Sequence, residues 1–205
     1  MMRLLLARHG QTEENNQGKI QGQLDVPLNE RGREQARLLR DRLAGVKIAV
    51  AYTSPLARAL ETAQIVLEPH GLEPRQEDRL KEASYGVWEG MTWLEVQNKY
   101  PLAFAEWAVD RERAPEGAET THQVKSRAHQ LMGEIRSEHR EGTVLVLTHG
   151  GPLRLMLCCA FDIPPEWAFD MAIDNTAISE LTFAGQRVVL RRHNDTCHLQ
   201  NAREG

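Results

Sequence analysis

The chain has 205 residues, 41% of them hydrophobic, which is enough for one sizeable domain with a buried core. Its net charge of −4 argues against a nucleic-acid protein held by broad basic patches, and no apolar run reaches the ~18 residues that a membrane helix needs. The N-terminal LLLA is shorter than the apolar core of a signal peptide, about 7–15 residues, so a soluble cytoplasmic protein without nucleic-acid or membrane partners is expected. The cysteines, Cys158, Cys159 and Cys197, show no CxxC spacing and read as small core residues.

In chain order, Arg3 to Arg8 is predicted as the first strand. A helix should follow from about Glu30, capped by Asn29, with Ala36, Leu39 and Leu43 on one face and Gly45 as its stop. Lys47 to Thr53 is the second predicted strand. Ser54-Pro55 then reads as an N-cap followed by proline at the first helical position, opening a helix to about Leu67, before Pro69 and Gly71. Thr92 and Glu95 form a capping box for a short helix. A long helix carries Val124, Ala128, Leu131 and Ile135 on one stripe and is expected to end at Gly142. TVLVLT, Thr143 to Thr148, is apolar enough for a strand buried on both faces, and a helix is expected from about Pro152. ISELTF and RVVLRR, joined by Ala184-Gly185-Gln186, read as a hairpin. Without repeats or linkers, this alternation predicts a parallel sheet covered by helices.

Three of these strands end in chemistry. The first runs into Arg8-His9-Gly10, TVLVLT runs into His149-Gly150-Gly151, and the second runs into Ser54-Pro55 with Arg58 one turn later. A strand leaving a core must end in something polar, so one such ending says little. In an open parallel sheet, however, the carboxyl ends of the strands share an edge, and ligands bind there. Two histidines and two arginines should therefore meet, and Gly10 and Gly150 let backbone approach a ligand. Such a cage of donors suits a phosphoryl group, and a neutral imidazole can attack phosphorus. A two-histidine metal site is the alternative, opposed by the neighbouring arginines. No P-loop and no clear run of carboxylates for magnesium is present.

The blocks RHGQTEEN, IQGQLDVPLNERG, YTSPLARALETA, LKEASYGVWEG and LTHGG together resemble the histidine phosphatase superfamily, in its phosphoglycerate-mutase-like branch, over nearly the whole chain. The resemblance implies an α/β fold, a three-layer α/β/α sandwich with a mixed, mostly parallel sheet. It implies one domain over 1–205 with a small helical cap at about 88–120. It makes His9 the nucleophile that becomes phosphohistidine, and Arg8, Arg58, His149 and Asn15 the phosphate pocket. Glu82, which spacing alone does not single out, becomes the proton donor to the leaving oxygen. Gln21 and Gly22 fall on the loop that lines the substrate mouth, Thr12 holds that loop or touches phosphate, and Thr148 supports His149. Trp88, Trp93 and Trp107 are expected to pack the cap. His70, His122, His129 and His139 are expected to be solvated, and a role for His193 or His198 at the pocket stays open.

Three functions compete. One is a phosphomonoester hydrolase working through phosphohistidine on a small phosphorylated metabolite, without metal or cofactor. The others are a phosphoglycerate mutase and a non-catalytic relative that binds phosphorylated ligands. Filled catalytic positions disfavour the last. The short cap between Glu82 and His149, with few cations (Lys99, Arg111, Arg113, Lys125), favours the hydrolase over the mutase. Phosphate or another oxyanion should fill the pocket. The pocket blocks do not separate phosphoserine, α-ribazole phosphate, phosphoglycerate or a broad range as substrate. Homodimers are common in the branch, and nothing in the chain proves one here.

Overall fold

The structure, a computed structural model, describes residues 1–202 and the side chains of residues 1–200; the last three residues of the expected 1–205 domain lie outside the described residues. In chain order the elements are β1 (Met2–Arg8), the single turn α1 (Glu13–Asn16), α2 (Glu30–Leu43), β2 (Ile48–Thr53), α3 (Ala57–Leu67) and β3 (Arg75–Gln76). Then follow α4 (Trp93–Lys99), α5 (Pro101–Val109), α6 (Thr121–Glu138), β4 (Gly142–Thr148), α7 (Gly150–Phe161), β5 (Ile178–Ala184) and β6 (Arg187–Asp195). The strands form one six-stranded sheet in the order β3-β2-β4-β1-β5-β6. The β3-β2-β4-β1 part is parallel, and the hairpin β5-β6 adds two antiparallel strands at the β1 edge.

The apolar runs are explained by burial on both faces. Leu4 and Leu6 of β1, with Val144 and Val146 of β4, face Leu131 and Ile135 of α6 and Leu153 and Met156 of α7. The intervening Leu5, Ala7, Leu145 and Leu147 face Leu39 and Leu43 of α2 and Ala63 and Val66 of α3. Each of these leucines is almost fully buried, which contributes roughly 1.5–3 kcal/mol per side chain. A smaller cluster of Ile20, Trp88, Val96 and Trp107 ties α4 and α5 to the loop after α1.

Register decides the site. Arg8 pairs with Thr148 and Thr53 with Leu147, so His9, His149 and Ser54 emerge side by side from three adjacent strands. The loop after β1 is pinned on α2: a Cβ on Gly32 would lie 2.0 Å from the Gln11 carbonyl oxygen, and one on Gly10 would lie 2.4 Å from that of Gly32. Only glycine permits this approach.

Three boundaries differ from expectation. α3 starts at Ala57 with Leu56 at its N-cap, so Ser54-Pro55 is not its cap; the Ser54 hydroxyl instead faces His149. α6 stops at Glu138, and Gly142, at φ +84°, opens β4 instead. α7 starts at Gly150, two residues before Pro152, because β4 passes straight into the helix with His149 at the N-cap.

Candidate active site

His9 is 2% exposed at the end of β1. Its Nδ1 sits 2.7 Å from the Gly10 carbonyl oxygen. A carbonyl only accepts, so Nδ1 carries the proton and Nε2 keeps its lone pair at the pocket wall. Burial, then the charges of Arg8 and Arg58, hold this imidazole well below the usual histidine value. The ring is neutral at physiological pH and available as a nucleophile.

His149 lies behind it, with ring centroids 5.0 Å apart. Arg58 Nε donates to His149 Nδ1 at 3.2 Å, which makes His149 Nε2–H the donor to Ser54 Oγ at 2.8 Å. Burial and then Arg58 keep this ring neutral too. With both nitrogens engaged, His149 orients Arg58 beside His9.

Arg58 is fully buried in the first turn of α3 and also donates to the carbonyls of Leu24 and Gly22, each at 2.8 Å. Arg8 donates to the Ile173 carbonyl at 2.7 Å, while its buried Nε has no partner. Burial lowers both guanidiniums, Arg8 to about 10, so both stay charged at neutral pH. Among the described residues neither forms an ion pair with a carboxylate. Two desolvated cations and an orphaned donor are costly unless an anion joins them. No group of three His, Cys, Asp or Glu side chains fit to hold a metal occurs among the described residues.

These groups line a cavity of about 160 Å³, closed by Asn15, Gln21, Gly22 and Glu82. Asn15 closes the capping box of α1 with Thr12, and its Oδ1 accepts from Thr12 N and Asn175 Nδ2. Its amide nitrogen is left for the cavity. Gln21 is fixed the same way, its Oε1 accepting from the Thr12 hydroxyl at 3.0 Å. Thr12 is completely buried and holds the loop through Gln21 and the Asn15 backbone amide. Gly150 packs beside the site: a Cβ there would meet Arg154 Nη1 at 2.8 Å and Glu82 Oε2 at 3.8 Å.

Glu82 leans over the N-terminus of α7, accepting from Gly151 N at 3.1 Å and Ala83 N at 2.9 Å. Its loop is clamped from outside. Arg127 of α6 donates to the carbonyls of Arg79, Lys81 and Glu82 and to both oxygens of Glu119. Thr148 Oγ1 donates to the Leu80 carbonyl at 2.7 Å, so it steadies this loop as well as the strand before His149.

Sequence reasoning missed several participants. Ser54 was hidden by its second use as a helix cap. Asn175 donates to the His9 carbonyl at 3.0 Å, and Thr176 beside it has φ 56°, a strained value for a β-branched residue. Lys19, Tyr85 and Trp93 line the cavity, and only a fold could select them. Trp88 and Trp107 are buried, and Trp93, stacked on Trp107 with ring centroids 5.0 Å apart, packs the cap as expected while its 40% exposed ring also reaches the mouth. His139 is bonded to the Tyr52 hydroxyl at 2.9 Å rather than solvated, because α6 ends against β2. His70 is half-buried, and His122 and His129 are exposed. His193 bonds Ser179 and His198 bonds Thr176, and neither lines the cavity.

Residues 4–196 match the model of the histidine phosphatase superfamily (branch 1). Phosphoserine phosphatase 1 of Hydrogenobacter thermophilus is 37% identical over 202 residues, covering 97% of this chain and 95% of the relative. Among solved structures, Bacillus stearothermophilus YhfR superposes with a TM-score of 0.91 at 33% identity, covering 98% of this chain and 100% of that one. An Entamoeba histolytica phosphoserine phosphatase (H9A mutant) in complex with phosphoserine superposes with a TM-score of 0.87 at 27% identity, covering 97% and 100%. No helix of the described residues is long and apolar enough to cross a membrane.

Proposed function

We propose, for a chain that belongs to the histidine phosphatase superfamily, that phosphomonoesters of small metabolites are hydrolysed through a phosphohistidine on His9. The chain is a phosphoric monoester hydrolase of that family. The observation that carries the mechanism is the pairing of a neutral imidazole, its Nε2 lone pair at the cavity wall, with the unpartnered Nε of Arg8.

The phosphoryl group enters between Arg8, Arg58 and the Asn15 amide. His9 Nε2 attacks phosphorus in line as the ester P–O bond breaks, while fixed donors take up the charge on the equatorial oxygens. Glu82 gives its proton to the departing alkoxide. It then takes a proton from the water that attacks phosphohistidine, which releases phosphate and restores His9. His149 and Ser54 hold Arg58 in place throughout. We read residues 88–120 as a small helical cap over the mouth within one domain, with Trp93 as its contribution to the wall.

The test is a trap. A labelled phosphomonoester quenched in alkali should leave an alkali-stable, acid-labile adduct, absent in His9→Ala, and turnover should survive exhaustive chelation. An adduct on another residue would overturn the nucleophile. Rapid interconversion of 2- and 3-phosphoglycerate with negligible phosphate release would overturn the hydrolase.

A further inference from the structure

The turn before β5 holds the active site from behind. β1 leaves the sheet at His9: its N–H still donates to the Thr148 carbonyl at 3.0 Å, but β4 ends there and constrains nothing further on. Residues 173–176 take over. Asn175 Nδ2 donates to the His9 carbonyl at 3.0 Å and to Asn15 Oδ1 at 3.3 Å. Thr176 N donates to the carbonyls of Arg8 at 3.1 Å and His9 at 3.3 Å. The Ile173 carbonyl accepts from Arg8 Nη1 at 2.7 Å. One short turn thus touches Arg8, His9 and Asn15.

The turn is itself held by the end of the chain. Thr176 is fully buried at φ 56°, a conformation that persists in a β-branched residue only where its surroundings over-determine it. Asp174 N donates to Asn194 Oδ1 at 2.7 Å, and Asn194 Nδ2 donates back to Asp174 Oδ2 at 2.9 Å. The Thr176 hydroxyl lies 3.1 Å from His198 Nε2. His198 belongs to the C-terminal turn Cys197–Ala202. Asp195 caps that turn by accepting from Cys197 N at 3.0 Å, and pairs with Arg42 of α2. Burial and then Arg42 push the His198 ring down to about 4, with Asp195 opposing, so the ring is neutral at physiological pH. Its Nδ1 is buried without a partner among the described residues, which leaves Thr176 as the polar group that fixes the ring.

We propose that His198 is a positioning residue for the nucleophile: through the Thr176 hydroxyl it fixes the 173–176 turn, and the turn aims His9 Nε2 and Arg8 at the phosphoryl group. The inference rests on the hydrolase reading above. His198 lines no part of the cavity and touches no reacting atom. The turn needs to move little, since a displacement of about 1 Å at the reacting atoms costs on the order of 100-fold in rate.

The experiment measures the rate constant of phosphoenzyme formation in a single turnover, with enzyme in excess and saturating, so that a poorly folded fraction lowers the amplitude and not the rate constant. His198→Ala should slow it by about 10- to 100-fold. The loss should be the same on O-phosphoserine and p-nitrophenyl phosphate, because attack is impaired and not proton donation. His198→Gln, whose amide nitrogen can stand where Nε2 stood, should recover most of the rate. Thr176→Gly admits the positive φ without strain, so it folds even if His198→Ala does not; it lacks the hydroxyl and should slow the same step. An unchanged rate constant in Thr176→Gly or in folded His198→Ala, or His198→Gln as slow as His198→Ala, overturns the inference and leaves the hydrolase standing. Absence of a His9 adduct in the unsubstituted protein overturns the hydrolase reading, and the inference with it.

Discussion

Replacing Glu82 by glutamine separates proton donation from positioning. The carboxylate makes two good contacts through Oε1, from Ala83 N at 2.9 Å and Gly151 N at 3.1 Å, and a long one through Oε2, from Gly151 N at 3.3 Å. A glutamine oxygen can keep the first two. The Glu82 backbone is held independently by Arg127 at 3.1 Å and Gln23 at 3.1 Å. The structural loss is therefore the one long hydrogen bond, at most about 1 kcal/mol, or roughly five-fold in rate. The lost proton is worth more: general acid catalysis contributes about 10²–10⁴, or roughly 2.7–5.4 kcal/mol, when the leaving group is an alkoxide. Nitrophenolate leaves without a proton. Steady-state kcat on phosphoserine should thus fall at least 100-fold, and on p-nitrophenyl phosphate by no more than about five-fold. Phosphoenzyme formation followed in a single turnover should show the same split. Equal losses on both substrates would refute the reasoning: Glu82 would then hold the loop or the phosphate, and the proton would come from elsewhere.

Two further outcomes follow from burial. His9 and His149 titrate well below 6.5 in the folded protein, so the unfolded chain takes up their protons first as pH falls. Their contribution is fully present above pH 6.5 and is lost toward the folded values, at up to about 2.7 kcal/mol per pH unit for the two rings. Urea unfolding at pH 7.5, 6.0 and 5.0 should show this, with a shallower dependence in His149→Ala; equal stability at all three pH values would contradict the buried neutral pair. Gly32→Ala drives a methyl group to 2.0 Å from the Gln11 carbonyl oxygen, an overpacking cost of about 1–3 kcal/mol. Its melting temperature should drop by about 2–12 °C, and phosphoenzyme formation should slow because the displaced loop carries His9. An unchanged melting temperature would show that the loop yields without strain.

The sequence by itself determined the layers and the sheet edge. Leu4 to Ala7 and Val144 to Leu147 are too uniformly apolar for anything but strands buried on both faces. Their ends had to carry Arg8, His9 and His149 to one edge, because parallel strands share it. The nucleophile and its arginines were legible for that reason. Glu82 was not: one carboxylate among many has no local signature, and it entered only through the resemblance to a family. What places it is long-range, namely the α7 N-terminus at Gly151 and the Arg127 clamp from α6. Ser54 was legible and misleading, since serine before proline suits a helix cap; the pairing of β2 with β4 puts it beside His149 instead. His149 itself was recognised, but its hydrogen bonds were not. Its two ring nitrogens are committed by Arg58 and Ser54, residues 91 and 95 positions away, and no periodicity reports such a contact.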